Sequence, residues 1–249
     1  MKKIVWMLIA VAAICGLTWG FLELREGGYM SSYAAQPESP APPQAVGSSL
    51  TYNFDSDAVG GMPAKFHSAR TGQGAESKWE VIADPSAPSK PNVAAQTSTD
   101  KTDYRFPLLI SDEGSFKDLE LSVKFKAVSG EVDRAGGLVF RLKDANNYYI
   151  VRANALESNV VLYKVENGVR LSIAPKGLPS RSYGVSHEIP RGHWNILRVD
   201  FQGTVFTVSL NGERLFEVED RTFTKPGKTG LWTKADSVTY FDEFTVMGK

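Results

Sequence analysis

Bulky apolar residues fall two apart along much of this chain. Leu119, Leu121, Val123 and Phe125 alternate with Glu120, Ser122, Lys124 and Lys126, the period of a strand with one buried and one solvated face. Leu50, Tyr52 and Phe54 repeat the pattern upstream. The spacing also predicts strands over Leu138–Leu142, Tyr148–Asn154, Asn159–Val165, Val169–Ile173, Val205–Leu210, Glu213–Val218, Thr229–Thr233 and Val238–Val246. Turn residues separate them: Asp144-Ala145-Asn146-Asn147, Asn167-Gly168 and Asn211-Gly212. Asn-Gly supplies the two positive-φ positions of a tight hairpin turn. No window carries a long helical period. Many short strands, punctuated about every ten residues, predict an all-β fold. It is expected as a two-sheet antiparallel β-sandwich over residues 48–249, with Trp194 and Phe244 in its core.

The first residues follow a different rule. Lys2-Lys3 precedes an apolar run from Ile4 to Ile14 that continues to Leu22. A basic start before such a run is the layout of a secretory signal, and the run also has about the ~20 residues that span a bilayer. Residues 1–22 are therefore read as a signal peptide or an N-terminal hydrophobic helix that anchors the chain. In either case the folded part lies outside the cytoplasm, periplasmic or secreted, or tethered to the membrane through the N-terminal segment. Residues 23–47 form a Pro-rich spacer, in which Gln36-Pro37-Glu38-Ser39-Pro40-Ala41-Pro42-Pro43-Gln44 favours extended, solvated chain.

Composition narrows the chemistry. The single cysteine, Cys15, lies inside the apolar run, so the folded part has no disulfide, no thiolate metal site and no thiol nucleophile. Lys+Arg and Asp+Glu are equal at 28 each, and removing the leader with its two lysines tips the balance slightly acidic. Binding to a phosphate backbone needs excess positive charge; nucleic acid is not an expected partner.

Several segments resemble a known group. Trp194-Asn195-Ile196-Leu197-Arg198-Val199, Leu210-Asn211-Gly212, Gly227-Lys228-Thr229-Gly230-Leu231-Trp232 and Tyr240-Phe241-Asp242-Glu243-Phe244-Thr245-Val246 are similar to the concanavalin A-like, laminin-G-like jelly rolls. Gly137-Leu138-Val139-Phe140-Arg141, Asn147–Asn154 and Gly230–Ser237 narrow the resemblance to a domain family that includes hydrolases and lyases of 3-keto-glucosides and 3-keto-disaccharides. It covers nearly all of residues 50–247. What the resemblance implies is a concanavalin A-like jelly roll, with carboxylates and a metal in the family's active members. Such features identify a fold better than an activity.

The residues themselves offer no complete catalytic set. Two close carboxyl groups would serve glycoside cleavage, and Glu131-Val132-Asp133 is the nearest approach, but Gly136 stands where a second glutamate is wanted. This segment reads as a solvated loop, and Glu217-Val218-Glu219-Asp220 as a charged outer face. His67, His187 and His193 do not pair at ligand spacing. Arg141, Arg152, Asn154, Lys234 and Asp236, with Trp232 as an aromatic platform, supply the hydrogen-bonding groups and ring that a sugar needs; the alternative is that the arginines pair with carboxylates and the aromatics fill the core. Asp55, Asp57 and Asp242 meet at one end if the first and last strands pair, an oxygen set that suits Ca²⁺. Turn aspartates capping strand ends are the plainer account of them. The expected function is a non-catalytic glycan-binding or cell-surface module whose partner is a carbohydrate. The alternative is a hydrolase or lyase of 3-keto-glycosides. A topology reporter fused after residue 249 should be active only in the form that works outside the cytoplasm; activity confined to a cytoplasmic reporter overturns the reading of residues 1–22.

Overall fold

A computed structural model describes residues 47–249; the leader and nearly all of the spacer lie outside the described residues. Within them the chain forms strands and no helix. The strands are β1 (Ser49–Tyr52), β2 (Phe66–Gly72), β3 (Trp79–Ala83) and β4 (Asn92–Gln96). Next come β5 (Arg105–Ser111), β6 (Leu119–Ser129), β7 (Ala135–Asp144) and β8 (Asn147–Asn154). These are followed by β9 (Asn159–Glu166), β10 (Val169–Ser172), β11 (Val185–Ser186) and β12 (Trp194–Gln202). The series closes with β13 (Val205–Leu210), β14 (Glu213–Glu219), β15 (Lys228–Trp232) and β16 (Val238–Gly248).

They assemble into two antiparallel sheets. One has the order β14-β13-β12-β6-β16-β4-β3, with β1 also on β16; the other runs β10-β9-β8-β7-β15-β5-β2, with β11 on β9. The first and last strands do pair, with Tyr52 opposite Phe244 and Ser49 opposite Met247. Both Asn-Gly turns adopt positive φ at each residue, 51° and 79° at Asn167-Gly168 and 51° and 84° at Asn211-Gly212.

The main core lies between the sheets. From β6 it takes Leu119, Leu121, Val123, Phe125 and Ala127, and from β8 Tyr149, Val151 and Ala153. Phe244 is fully buried there, stacked on Tyr52 with ring centres 5.8 Å apart. Trp194 is not. Leu197, Val199 and Phe201 set the phase of β12, which turns Asn195 inward and leaves Trp194 half-buried on the outer face. There its indole donates to Ser86 Oγ at 3.3 Å and its ring lies under the Lys126 ammonium.

The second sheet is strongly curled. Tyr104, just before β5, donates its hydroxyl to the Gly168 carbonyl at 2.9 Å and accepts from the Arg170 amide at 2.9 Å, although β5 and β10 are five places apart in the strand order. On β2, Thr71 likewise reaches the Ala145 carbonyl in the β7–β8 turn. The concave face so formed is filled by its own side chains, a second apolar cluster that includes Phe106, Leu108, Val139, Ile150, Val161 and Trp232. This explains why every residue of β8 from Tyr148 to Asn154 is buried and its alternation is lost. Phe244→Ala should cost about 3–5 kcal/mol, as truncation of a large core side chain does, and Trp194→Ala no more than about 1 kcal/mol. Urea unfolding of the two variants checks the difference, and equal losses would contradict this register.

Candidate functional site

Gly137 stands between Arg152 on β8 and Trp232 on β15, all on the concave face. A Cβ added at Gly137 would lie 2.8 Å from the Val151 carbonyl oxygen and 3.3 Å from the Arg152 Cβ. With no side chain there, two large neighbours share the space. Trp232 stacks on Phe106, with ring centres 5.6 Å apart and planes 19° apart. It is fully buried in the second apolar cluster, so its ring fills the core and is not the exposed platform expected of it.

Arg152 is almost completely inaccessible, at 1% exposure. Its Nη1 donates to Asn159 Oδ1 at 2.6 Å, and its Nη2 to Glu157 Oε2 at 2.7 Å and to the Tyr163 and Tyr183 hydroxyls at 3.0 Å each. The two tyrosine hydroxyls also bond each other. A buried cation is tolerated only when acceptors replace its water, and here one carboxylate, one amide and two phenols do so. Burial pushes the Tyr163 hydroxyl pKa up, despite the pull of Arg152 and Arg170.

Next to it, Asn154 Nδ2 donates to Asp133 Oδ1 at 2.8 Å, while its Oδ1 accepts from the Leu156 and Glu157 amides. Lys234 Nζ bridges two acids, 3.1 Å from Asp133 Oδ2 and 2.6 Å from Asp103 Oδ1. Burial raises the Asp133 pKa and outweighs the attraction of Lys234 and Arg152. Burial also opposes the charge on Lys234, but Asp103 and Asp133 together hold its pKa above the ordinary value. Asp236 accepts the amides of Glu131, Val132 and Asp133 at 2.7, 3.1 and 3.0 Å. Its part is to shape the loop that delivers Asp133.

Arg152, Asn154, Lys234 and, through the loop, Asp236 thus come together at one end of the curled sheet, its mouth, where Arg152, Asn154 and Asp236 are buried beneath the surface. Arg141 does not join them. It adopts a positive φ of 47° at a register shift in β7, and its guanidinium donates to the carbonyls of Lys117, Phe223 and Gly203 and to Asp118. Phe201 and Phe206 lie under it. It borders a separate cleft of about 570 Å³ lined by Leu142, Lys143, Phe223, Pro226 and Lys228, with no carboxyl or histidine.

Sequence reasoning placed Asp133 in a solvated loop; it is 1% exposed, because Asp236 draws the loop inward. Glu131 beside it remains exposed and pairs with Lys101 at 2.6 Å, so the two do not face a common substrate position. Glu217 is held by Lys176 and Arg214 on the outer face. Tyr163, Tyr183, Glu157, Asp103 and Arg170 were not singled out. The lone signal was the tyrosine of Asn159–Val165 falling in the same register as Val161 and Val165.

The three aspartates expected to meet do so only in part. Asp55 accepts from the Ser89 hydroxyl and from the Asn92 amide at 3.1 Å, and Asp242 accepts from the Ser89 amide at 2.7 Å. Asp57 turns instead to the Ala64 amide at 3.0 Å. Among the described residues no group of three His, Cys, Asp or Glu is arranged to hold a metal ion, so the carboxylates of Asp55, Asp57 and Asp242 do not make a three-acid Ca²⁺ set. Capping of turns accounts for their contacts.

Two stacked antiparallel sheets with paired first and last strands define a concanavalin A-like β-sandwich. Residues 66–247 match the 3-keto-alpha-glucoside-1,2-lyase-like domain, and the chain belongs to that family. Among solved structures it is similar to the carbohydrate-binding module CBM66 from Bacillus subtilis, at 20% identity and a TM-score of 0.57 over 74% of this chain and 96% of that one. It is also similar to the cellulose induced protein Cip1, at 13% identity and a TM-score of 0.54, covering 80% of this chain and 97% of the other. A protein of unknown function from Shewanella oneidensis MR-1 follows at 13% identity and 0.51, over 83% and 88% of the two chains. These likenesses establish the fold. No curated protein matches the chain.

One ionisation is open to direct measurement. Burial, with the nearby charges of Glu243 and Asp55, raises the Asp242 pKa from 3.8 to about 6, although the Ser89 and Glu243 amides oppose the shift. A carboxyl with a raised folded pKa binds its proton more tightly when folded, so its stabilisation is full below 3.8 and is lost as pH rises through 6. Asp242→Asn should therefore gain on the parent in Tm as pH is raised from 4 to 7; a Tm difference independent of pH would contradict the shift.

Proposed function

We propose that this protein is a non-catalytic glycan-binding module that acts outside the cytoplasm. One observation carries the reading: the mouth of the curled sheet brings together a rigid guanidinium, two tyrosine hydroxyls, an amide, an ammonium and aromatic rings. Sugars are recognised by fixed polar groups beside ring faces, and the mouths of curled sheets are a common place for them. Arg152 holds its geometry through four acceptors before any ligand arrives, which lowers the ordering cost of binding. The similarity to a carbohydrate-binding module supports the same class of ligand.

Catalysis is the less favoured reading because the carboxyls of the mouth are engaged. Asp133 has Asn154 on one oxygen and Lys234 on the other, and Glu157 is held by Arg152 and Asn159. A general base needs a carboxylate free to reach the proton it abstracts. Asp133, with its raised pKa, is the residue on which a 3-keto-glycoside lyase or hydrolase would rest. Export, as cleaved or membrane-tethered protein, rests on the composition of residues 1–22.

Arg152 is so deeply bonded that its removal would strand Glu157, Asn159 and two tyrosines, so Arg152→Ala tests stability rather than recognition. Tyr183 is the better probe, at 47% exposure with its hydroxyl on Arg152. A glycan-array screen of the folded protein, run with calcium and with chelator, should return at least one class of oligosaccharide. Tyr183→Ala should weaken that binding by about 3–10-fold, the effect of losing a neutral hydrogen bond. It also takes one acceptor from Arg152, so Tm should fall modestly and binding is compared at a temperature where both proteins are folded. Absence of binding across the array, or turnover of a 3-keto-glycoside by the parent protein, would overturn the proposal.

A further inference from the structure

Three cations and four carboxylates line the mouth; Asp236 is taken up by three backbone amides, and the rest do not pair off evenly. Lys234 has Asp103 and Asp133; Arg152 has Glu157. Among the described residues Arg170 has no carboxylate partner, and its Nη1, like the Arg152 Nε and Trp232 Nε1 nearby, makes no hydrogen bond within the protein. Arg170 as a whole is only partly buried, so its outward edge can receive a carboxylate that the protein itself does not supply.

The placement of Arg170 is built rather than incidental. The Asn167-Gly168 turn carries it on β10, opposite Val165. Tyr104 then fixes the hairpin at both ends of its hydroxyl, accepting from the Arg170 amide and donating to the Gly168 carbonyl. The guanidinium carbon sits 4.6 Å from the ring centres of both Phe106 and Tyr163, and 5.8 Å from that of Trp232. Stacking holds the plane of a guanidinium and leaves the N–H groups on its outward edge able to meet a carboxylate in that plane. Tyr163 lies between the two arginines and is stacked by both, which places Arg170 next to the hydroxyl cluster around Arg152.

We propose that the glycan bound at this mouth is acidic, a uronate-containing oligosaccharide whose carboxylate is received by Arg170. The proposal rests on the glycan-binding reading above and adds the charge of the ligand. Asp103 is the competing group on the protein. Its side chain is 75% exposed and lies close enough for Arg170 to lower its pKa, after the larger effect of the Lys234 hydrogen bond. It is held on Lys234 and forms no ion pair with Arg170. A ligand carboxylate therefore arrives beside one negative charge that it does not displace from Lys234.

The test compares oligogalacturonate, oligoglucuronate and oligomannuronate with their methyl esters, by calorimetry on the folded full-length protein. One free acid should bind at least about tenfold more tightly than its ester, the effect of a charge-assisted hydrogen bond. That preference should shrink as salt is raised. Arg170→Gln should bring acid and ester to within about threefold of each other, and near-UV circular dichroism reports whether the mouth stays packed. Asp103→Asn, an exposed change, should widen the preference for the acid by removing a like charge. Equal binding of acid and ester by the parent, or an unchanged preference in Arg170→Gln, overturns the acidic ligand while leaving glycan binding intact. If Arg170→Gln does not fold, a narrowed or unchanged preference in Asp103→Asn overturns it instead. Failure of every acid, ester and neutral glycan to bind overturns both readings.

Discussion

Tyr104 joins strands five places apart in one sheet through a single hydroxyl, donating to Gly168 and accepting from the amide of Arg170. Much of the molecule depends on the curl that this contact closes. In a flat sheet the faces of β8 would differ, one apolar and one solvated. Here the curl folds the second face onto itself, and Tyr148, Ile150 and Trp232 become a second core instead of an exposed apolar patch. It also brings β10, an edge strand, across to β5 and covers groups that would otherwise stand open to another chain.

The same closure explains why polar groups gather at one mouth. Apolar side chains occupy the middle of the concave face, so charged ones are tolerated only towards its end, where loops can supply partners. The loop at 131–133, the turn at 155–158 and the segment around Tyr183 all contribute. Asp236 acts indirectly: by accepting three successive amides it converts an otherwise solvated loop into one that buries Asp133. Removing a single partner from such a network leaves charge uncompensated in a poorly solvated site, which is why the mouth reads as preorganised for recognition.

Gly137 shows how a missing side chain can matter as much as a present one. Arg152 and Trp232 flank it across two ladders, and any Cβ there would press on the backbone of Val151. At Arg141 the reverse holds. A large residue takes a left-handed conformation because three carbonyls and two aromatic rings receive its guanidinium elsewhere. Two arginines of similar sequence setting, each on a strand after a glycine or tyrosine run, therefore end in unrelated environments.

The amino-acid sequence by itself determined the strand character of most segments from residue 119 on and the two Asn-Gly hairpins, because alternation and turn chemistry act over a few residues. The strands β2 to β5 and the pairing of the first and last strands came only with the tertiary structure. The sequence led to Arg152, Asn154 and Lys234 as companions because two of them share a strand face and all three carry the hydrogen-bond donors that a sugar needs. It did not reveal the phase of Trp194, where hydrophobicity alone cannot tell an outer-face indole from a core one. Nor could it show the burial of Asp133 or the isolation of Arg170. Those depend on the curl of the second sheet and on contacts such as Asp236 to residues 131–133, which join positions about a hundred residues apart. Only the tertiary structure decides which charges such contacts neutralise, because the desolvation and pairing of a charge depend on every element packed around it.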